Sequence, residues 1–369
     1  MNEKHKLPEG WKWVRLGEVA DFINGRAFKP DEWSNTGLPI IRIQNLTSIG
    51  APFNHFVGVI DQCHLVQDGD LLISWSATLD VFLWLRGSAV LNQHIFKVDE
   101  QAQLVRRDYL YFAVREAMEE IRSLVHGATM RHITKPEFEA IEIPLPPLPE
   151  QKRIAAILNE QMAAVDKTRA AAQARLEAVK ALPAAFLRKV FLGPNSQSWP
   201  KLPFGKVAML QRGHDLTERE RKEGPYPVVT SSGIVGTHNE YRMKGPGVVT
   251  GRSGSVGRVH FIDQDYWPHN TALYVKDFFG NDPRYIYFLL SWVNVKTVSS
   301  GTGVPTLDRK EVHKIIVAHP PLEEQLRLAD MLREQMEGAQ KVRGALASQL
   351  ETINTLPASL LRRAFSGEL

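Results

Sequence analysis

Cysteine is nearly missing: Cys63 is the only one in 369 residues, so no disulfide can close within the chain. The start, MNEKHKLPEGWKW, has no apolar segment of signal-peptide type, and a reducing, cytoplasmic location is expected. Long apolar runs are lacking too. The stretches Leu71–Leu79 and Val81–Leu85 are broken at Asp80 and Arg86, well short of the roughly 20 residues that span a bilayer, so no membrane association is expected. Without paired cysteines or an HExxH spacing, the 12 histidines suggest no metal site. The segment Gly251–Gly257, GRSGSVG, lacks the spacing and the lysine of a phosphate-binding loop. A methyltransferase would need a Gly-rich cofactor turn and an Asn/Asp-Pro-Pro-aromatic motif, but the Pro-Pro pairs at Pro146 and Pro320 are followed by Leu. No cofactor, metal or catalytic residue is therefore expected. What remains is 43% hydrophobic and 23% charged with a net charge of +4, a globular composition whose length suggests two or three domains.

A repeat organises the chain. Ile143–Gly193 overlays Val317–Gly367 at a constant offset of 174, without a gap and with 23 identities in 51 positions. Fainter similarity continues upstream. Trp11–Ala20 matches Trp199–Ala208, Gly25 matches Gly213, and Pro39 matches Pro227. Gly69–Leu79 lies over Pro246–Val256, Asn92-Gln93-His94 over His269-Asn270-Thr271, and YLYF at Tyr109 over YIYF at Tyr285. Four segments follow: a variable domain, 1–148; a helix, 149–193; a second variable domain, 194–316; a second helix, 317–369. Residues 1–148 hold 15 Lys and Arg against 19 Asp and Glu, a net of −4, whereas 194–316 hold 16 against 11, a net of +5.

Each repeated segment is built from strong helix formers. Apolar or small residues recur at 4-3 spacing through Ile154, Leu158, Gln161, Val165, Thr168, Ala172, Arg175 and Val179, and through Leu328, Leu332, Gln335, Ala339, Val342, Leu346, Gln349 and Ile353. That pattern predicts a coiled-coil seam. Pro183 and Pro357 are expected to end or kink the long helices and open short ones. Only Pro194–Pro200 separates the first helical block from the second variable domain, so the second helix must run back to pair along the seam. The expected architecture is α+β: two α/β recognition domains separated by two antiparallel helices, related by a pseudo-two-fold. A helix of about 30 residues spans ~45 Å, a length suited to spacing two contacts along DNA with its ~34 Å repeat.

PPLPEQKRIAAIL and PPLEEQLRLADML, with the mid-chain LRKVFLG and the terminal LRRAFSGEL, resemble the conserved regions of specificity subunits of type I restriction-modification systems. The resemblance covers essentially the whole chain. It implies a non-catalytic, DNA-binding specificity subunit in which each variable domain reads one half of a split, asymmetric double-stranded DNA target. By the same resemblance the helices dock two methyltransferase subunits, which modify an adenine in each half-site and recruit the restriction subunits. The residues alone leave open a scaffold whose two domains bind protein partners. The second variable domain is shorter than the first by about 25 residues.

Base edges are read by Arg, Asn, Gln and hydroxyl side chains, and phosphates are held by cations and Gly-rich turns. In the first domain these types gather at Arg42, Gln44 and Asn45, at Ser74, Trp75, Ser76 and Thr78, and at Asn92, Gln93 and His94. In the second they gather at Thr230, Ser231 and Ser232, at His238, Asn239 and Arg242, at Arg252, Ser253, Ser255 and Arg258, and at Asn270 and Thr271. Basic or small turns at His126–Arg131 and Ser300–Val304 are further candidates for phosphate contact. Ile157, Met162, Met331 and Met336 either meet partner subunits or close the flank of the seam. The acidic first domain offers few phosphate contacts, so tight DNA binding is expected to depend on the methyltransferase partners.

Overall fold

The structure is a computed structural model that describes residues 7–76, 78–124, 134–293, 299–300 and 306–369. The chain divides into two compact units. Unit 1 comprises Met1–Ala172 and Gln349–Leu369, and unit 2 comprises Gln173–Ser348. Both divisions fall inside the long helices, so each unit holds the beginning of one and the end of the other.

Unit 1 contains β1 (Lys12–Arg15), β2 (Ala20–Asn24), β3 (Leu38–Ile41), β4 (Asn54–Phe56) and β5 (Leu65–Val66). These are followed by β6 (Leu71–Ser74), β7 (Asp80–Leu83), β8 (Ala89–Leu91), β9 (Ile95–Glu100) and β10 (Glu142–Leu145). Its helices are α1 (Ile43–Thr47), α2 (Arg107–Leu124), α3 (Lys135–Glu139) and the first part of α4 (Leu148–Leu192). One sheet is antiparallel in the order β2-β9-β6-β7. The other runs β4-β3-β8-β5, with β3 and β8 parallel, and β1 pairs with β10. Runs such as Leu71-Leu72-Ile73 and Ala89–Leu91 are apolar on both faces because both faces are buried.

Unit 2 repeats the plan. It contains β11 (Lys201–Pro203), β12 (Met209–Arg212), β13 (Tyr226–Thr230), β14 (Gly233–His238), β15 (Gly247–Gly251), β16 (Val259–Ile262), β17 (Trp267–Pro268) and β18 (Ala272–Asp277). After these come β19 (Ser299–Ser300), β20 (Thr306–Leu307) and β21 (Ile316–Ala318). The helices are the end of α4, α5 (Pro194–Gln197), α6 (Phe204–Val207), α7 (Pro283–Trp292), α8 (Arg309–Lys314) and the first part of α9 (Leu322–Phe365), whose end lies in unit 1. The order β12-β18-β15-β16 matches β2-β9-β6-β7, the parallel pair β13 and β17 matches β3 and β8, and β11 with β21 matches β1 with β10. Among the described residues no helix is long and apolar enough to cross a membrane.

Within each unit the two helix segments run antiparallel. In unit 1 the start of α4, through Ile154 and Leu158, shares a core with Leu361 and Phe365 at the end of α9, while Val165 and Ala172 pack with Leu350 and Ile353. In unit 2 the end of α4, through Leu187 and Phe191, shares a core with Leu328 and Leu332 at the start of α9. Two buried tyrosines carry the same arrangement. Tyr109 donates to the Pro144 carbonyl (2.6 Å) and meets Phe365 edge-on at 5.4 Å. Tyr285 donates to the Ala318 carbonyl (3.0 Å) and lies 5.9 Å from Phe191.

Two expectations need correction. Of the two outcomes expected at Pro183 and Pro357, an end to the helix is not seen and no short helix opens: α4 and α9 continue through them. A proline removes one donor and crowds one carbonyl, but the turn beyond Pro183 is held by Leu187, Val190 and Phe191 in a core, and the turn beyond Pro357 by Leu361 and Phe365. The seam also lies one position later at alternate steps. Thr168 and Arg175 are exposed, while Arg169 is half-buried against Asn354 (2.9 Å) and Leu176 is buried. In α9, Val342 and Gln349 are exposed and Leu350 turns inward. The stripe widens because the helices cover domain cores as well as each other. Of the two roles open to the off-seam apolar residues, Met162 takes the core one in unit 1, and Met331 and Met336 pack against the core of unit 2.

Candidate nucleic-acid interface

Four loops meet in unit 1, and four equivalent loops meet in unit 2, tied by the same backbone bonds. After β2, the Gly25 and Arg26 amides donate to the Ile95 and Leu91 carbonyls (3.1 and 2.9 Å). After β12, Gly213 and His214 donate to Ala272 and Pro268 (3.0 and 2.8 Å). A Cβ on Gly25 would collide with the Asn92 carbonyl, and one on Gly213 with the His269 carbonyl, so this close approach admits only glycine. The loop after β8 joins the end of β3 through Asn92 N–H to Ile41 (3.2 Å), as His269 N–H joins Val229 (2.8 Å). The β6–β7 hairpin joins through Trp75 N–H to His94 (3.4 Å), as Arg252 N–H joins Thr271 (2.9 Å). The faint upstream alignment is thus a true structural repeat: Trp75 stands where Arg252 stands, and Asn92-Gln93-His94 where His269-Asn270-Thr271 stand.

In unit 2 the frame brings together polar side chains from all four loops. Asn270 Nδ2 donates to Asp215, which also pairs with Arg212 at 3.3 Å. Arg242 lies 4.7 Å over the Trp267 ring, a cation–π contact that fixes its stem. His214 packs edge-on against Trp267 at 6.2 Å. Burial, and then the nearby Arg242 cation, lower its pKa from the ordinary imidazole value. The Thr271 hydroxyl accepts from Ser231 N–H (3.4 Å). Arg252, Ser253 and Ser255 are half-exposed, and Asn239 and Arg258 are exposed. Gly251–Gly257 lies in the hairpin joining antiparallel β15 and β16, so it lacks the following helix whose N-terminus holds phosphate in a nucleotide loop.

Unit 1 presents more aromatic surface on the same frame. Trp75 stacks on Phe96 (5.8 Å, 28°) and lies 5.6 Å from His94, whose Nε2 is 3.2 Å from Gln93 Nε2. Arg42 sits 5.4 Å over Trp33. Arg26 pairs with Glu32 and covers Phe28 and Phe56. Gln44, Thr78, Gln93 and His94 are exposed, and Asn92 is half-exposed.

Some sequence candidates are spent on the protein itself. Asn45 is fully buried, accepts from Arg42 N–H (3.1 Å) and donates to the Ala51 and Pro52 carbonyls. Ser74 is buried and bonds to the Thr78 carbonyl, and Ser76 is buried beside it. His238 is buried against Trp267 (5.1 Å) and accepts from Lys222 N–H (3.1 Å). The Thr230 hydroxyl bonds Gly233 and Ser232 within the β13–β14 turn (3.0 Å each), the local chemistry such residues favour in turns. His126–Arg131 and Ser300–Val304 lie outside the residues whose side chains are described. Among the described residues no group of three or more His, Cys, Asp or Glu is placed to hold a metal.

A protein-family model described as "Type I restriction modification DNA specificity domain" matches residues 8–178 and 199–340. The chain belongs to this family. The Escherichia coli type I restriction enzyme EcoBI specificity subunit is 22% identical over 98% of this chain and 87% of its own length. The EcoKI specificity subunit of Escherichia coli K12 is 23% identical over 99% and 90%. Among solved structures, one on assembly and conformational transition of a type I restriction-modification system aligns at TM-score 0.81 with 18% identity, covering 99% of this chain and 100% of that one. The HsdS subunit of Thermoanaerobacter tengcongensis aligns at 0.63, with 18% identity and 99% of both chains covered. The two family matches each contain one four-loop cluster. Sequence reasoning missed Arg26, Trp33, Arg212, His214, Asp215 and Trp267 in these specificity domains. The aligned pair Gly25 and Gly213 was the available signal, since Arg26 and His214 follow those glycines directly.

Proposed function

We propose that this specificity-family chain reads a bipartite, asymmetric double-stranded DNA target, one half-site with the loop cluster of unit 1 and the other with that of unit 2. It holds two methyltransferase subunits on the DNA and, through them, restriction subunits; it works in the cytoplasm and contributes no catalytic residue. Residues 1–148 and 194–316 serve as target-recognition domains, with 149–193 and 317–369 as conserved spacer helices. The observation that carries this reading is the repeated frame, with four loops tied by equivalent backbone bonds and different side chains at equivalent places. A constant scaffold presenting changed donors and acceptors is what two readers of unlike sequences require.

The exposed or half-exposed candidates assigned to DNA are Arg42, Gln44, Trp75, Thr78, Asn92, Gln93 and His94 in unit 1. In unit 2 they are Ser231, Ser232, Asn239, Arg242, Arg252, Ser253, Ser255, Arg258, Asn270 and Thr271. The test is methylation mapping in a host carrying this chain with its methyltransferase subunits, alongside binding of the assembled complex to duplex DNA at several salt concentrations. A two-part methylated motif and salt-dependent affinity are expected. An assembled complex without salt-dependent DNA affinity would instead make the chain a protein-binding scaffold.

A further inference from the structure

The arginines on the unit 2 loops are not equally available. Arg212 is paired with Asp215, and Arg242 lies on the face of Trp267. Arg252 and Arg258 form no ion pair among the described residues, and they sit at opposite ends of the β15–β16 hairpin loop. Their backbones differ. Arg252 is held on both sides: its N–H donates to the Thr271 carbonyl (2.9 Å), its own carbonyl accepts from Leu307 N–H (2.8 Å), and Ser253 N–H also reaches Thr271 (3.1 Å). The residue is half-exposed on a fixed backbone. Arg258 is exposed; its carbonyl accepts from Gly251 N–H (3.0 Å), but its N–H makes only a long bond to Ser255 (3.5 Å).

We propose that Arg252 is the specificity-determining residue of unit 2, reading one guanine through its O6 and N7 edge, while Arg258 holds a neighbouring phosphate. The inference rests on the DNA-reading function above and divides the work between two residues of like charge. A bidentate base contact needs a guanidinium presented in one direction, whereas a phosphate contact tolerates a mobile stem. The equivalent position in unit 1 is Trp75, which is stacked on Phe96 and has no guanidinium to offer. This particular guanine contact therefore has no counterpart at the equivalent position of unit 1.

The test uses the full chain assembled with its methyltransferase subunits. For Arg252→Gln, mapping should show one G·C position in one half of the motif becoming relaxed or shifting to A·T, with cognate affinity reduced roughly ten- to hundredfold. Arg252→Lys keeps the charge but replaces the rigid planar fork with a rotating ammonium that can still donate to O6 and N7, so it should weaken the preference for guanine at the same position less than Arg252→Gln does. Arg258→Gln should leave the motif intact, weaken binding to all sequences alike and lower the salt slope by about 1. An unchanged motif for both Arg252 variants, with uniform weakening, overturns the assignment of a base to Arg252, as does relaxation in both halves. Loss of sequence preference by Arg258→Gln overturns the division of labour. A wild-type complex with no salt-dependent DNA affinity fails in a different way, by removing the DNA-reading function itself.

Discussion

Gln151 and Gln325 have no exposed surface, and each closes three hydrogen bonds at the entrance of a long helix. Gln151 accepts from Arg106 N–H (2.8 Å) and donates to the Leu104 and Pro146 carbonyls (3.0 and 2.8 Å). Gln325 accepts from Asp282 N–H (3.1 Å) and donates to Asn281 Oδ1 and the Pro320 carbonyl (2.7 and 2.9 Å). The Pro-Pro-Leu-x-Glu-Gln block is thus a latch between the helix start and the turn before α2 or α7. Gln151→Leu keeps the volume but strands one donor and two acceptors, and should destabilise unit 1 by about 2–4 kcal/mol. Hydrogen exchange should show lost protection around Arg106, and unchanged protection there would refute the latch. Gln161 is the contrasting case. Its Oε1 is buried without a hydrogen-bond partner among the described residues, so Gln161→Leu should stabilise the helix by about 0.5–1 kcal/mol, read as a raised unfolding midpoint. His313 adds a pH term. Its Nε2 accepts from Leu210 N–H (2.9 Å), and burial, then Arg309, lower its pKa; His214 is lowered as well, by burial and Arg242. Because the unfolded chain binds these protons first, unit 2 should lose stability as pH falls below about 6.5 toward the lower folded values. His313→Gln keeps an acceptor that does not titrate, and part of that slope should vanish in melts compared at pH 7.5 and 5.5.

The long helices are the elements most legible in sequence, because a gapless 51-residue repeat and uninterrupted helix formers both survive in one dimension. Their fine phase was not. Heptad spacing sees two helices alone, whereas α4 also covers a domain core, which draws Met162 inward; Arg169, against Asn354 of α9, and buried Leu176 take the inward places of Thr168 and Arg175. The helix does not end at its proline for a related reason: propensity counts the lost donor at Pro183, while Leu187, Val190 and Phe191 beyond it are fixed by packing. Since α4 runs on through this point, Pro183→Ala restores a backbone donor and should raise the stability of unit 2 by about 1 kcal/mol or more. A lower unfolding midpoint would show instead that the proline's local geometry is required. The loop clusters were half legible. Turn residues and hydrophilic side chains marked the right loops, and the gapped alignment paired Trp75 with Arg252. Whether a given Asn or Ser faces solvent or closes a turn depends on backbone direction, which composition does not carry; Asn45 and Asn270 read alike in sequence, yet one is fully buried and the other half-exposed.

For the whole molecule, similar folds carry opposite charge. Residues 1–148 have a net charge of −4 and residues 194–316 a net of +5, although both are built on one frame. The cations at the unit 1 loops are also engaged locally: Arg26 with Glu32, and Arg42 on Trp33. Unit 2 keeps Arg252 and Arg258 without ion-pair partners among the described residues. Affinity of a DNA reader falls with salt in proportion to the phosphates it neutralises, so unit 2 should supply most of the salt-dependent binding, while unit 1 contributes discrimination through aromatic and amide contacts. Duplexes in which one half-site is scrambled separate the two contributions. With only the unit 2 half-site intact, the assembled complex should bind more tightly at low salt and lose affinity more steeply as salt rises. With only the unit 1 half-site intact, binding should be weaker and the slope shallower, by about 1 for each cation that finds no phosphate. Equal slopes for the two duplexes would mean that the methyltransferase subunits supply nearly all the phosphate contacts, and that the charge asymmetry of this chain has no part in binding.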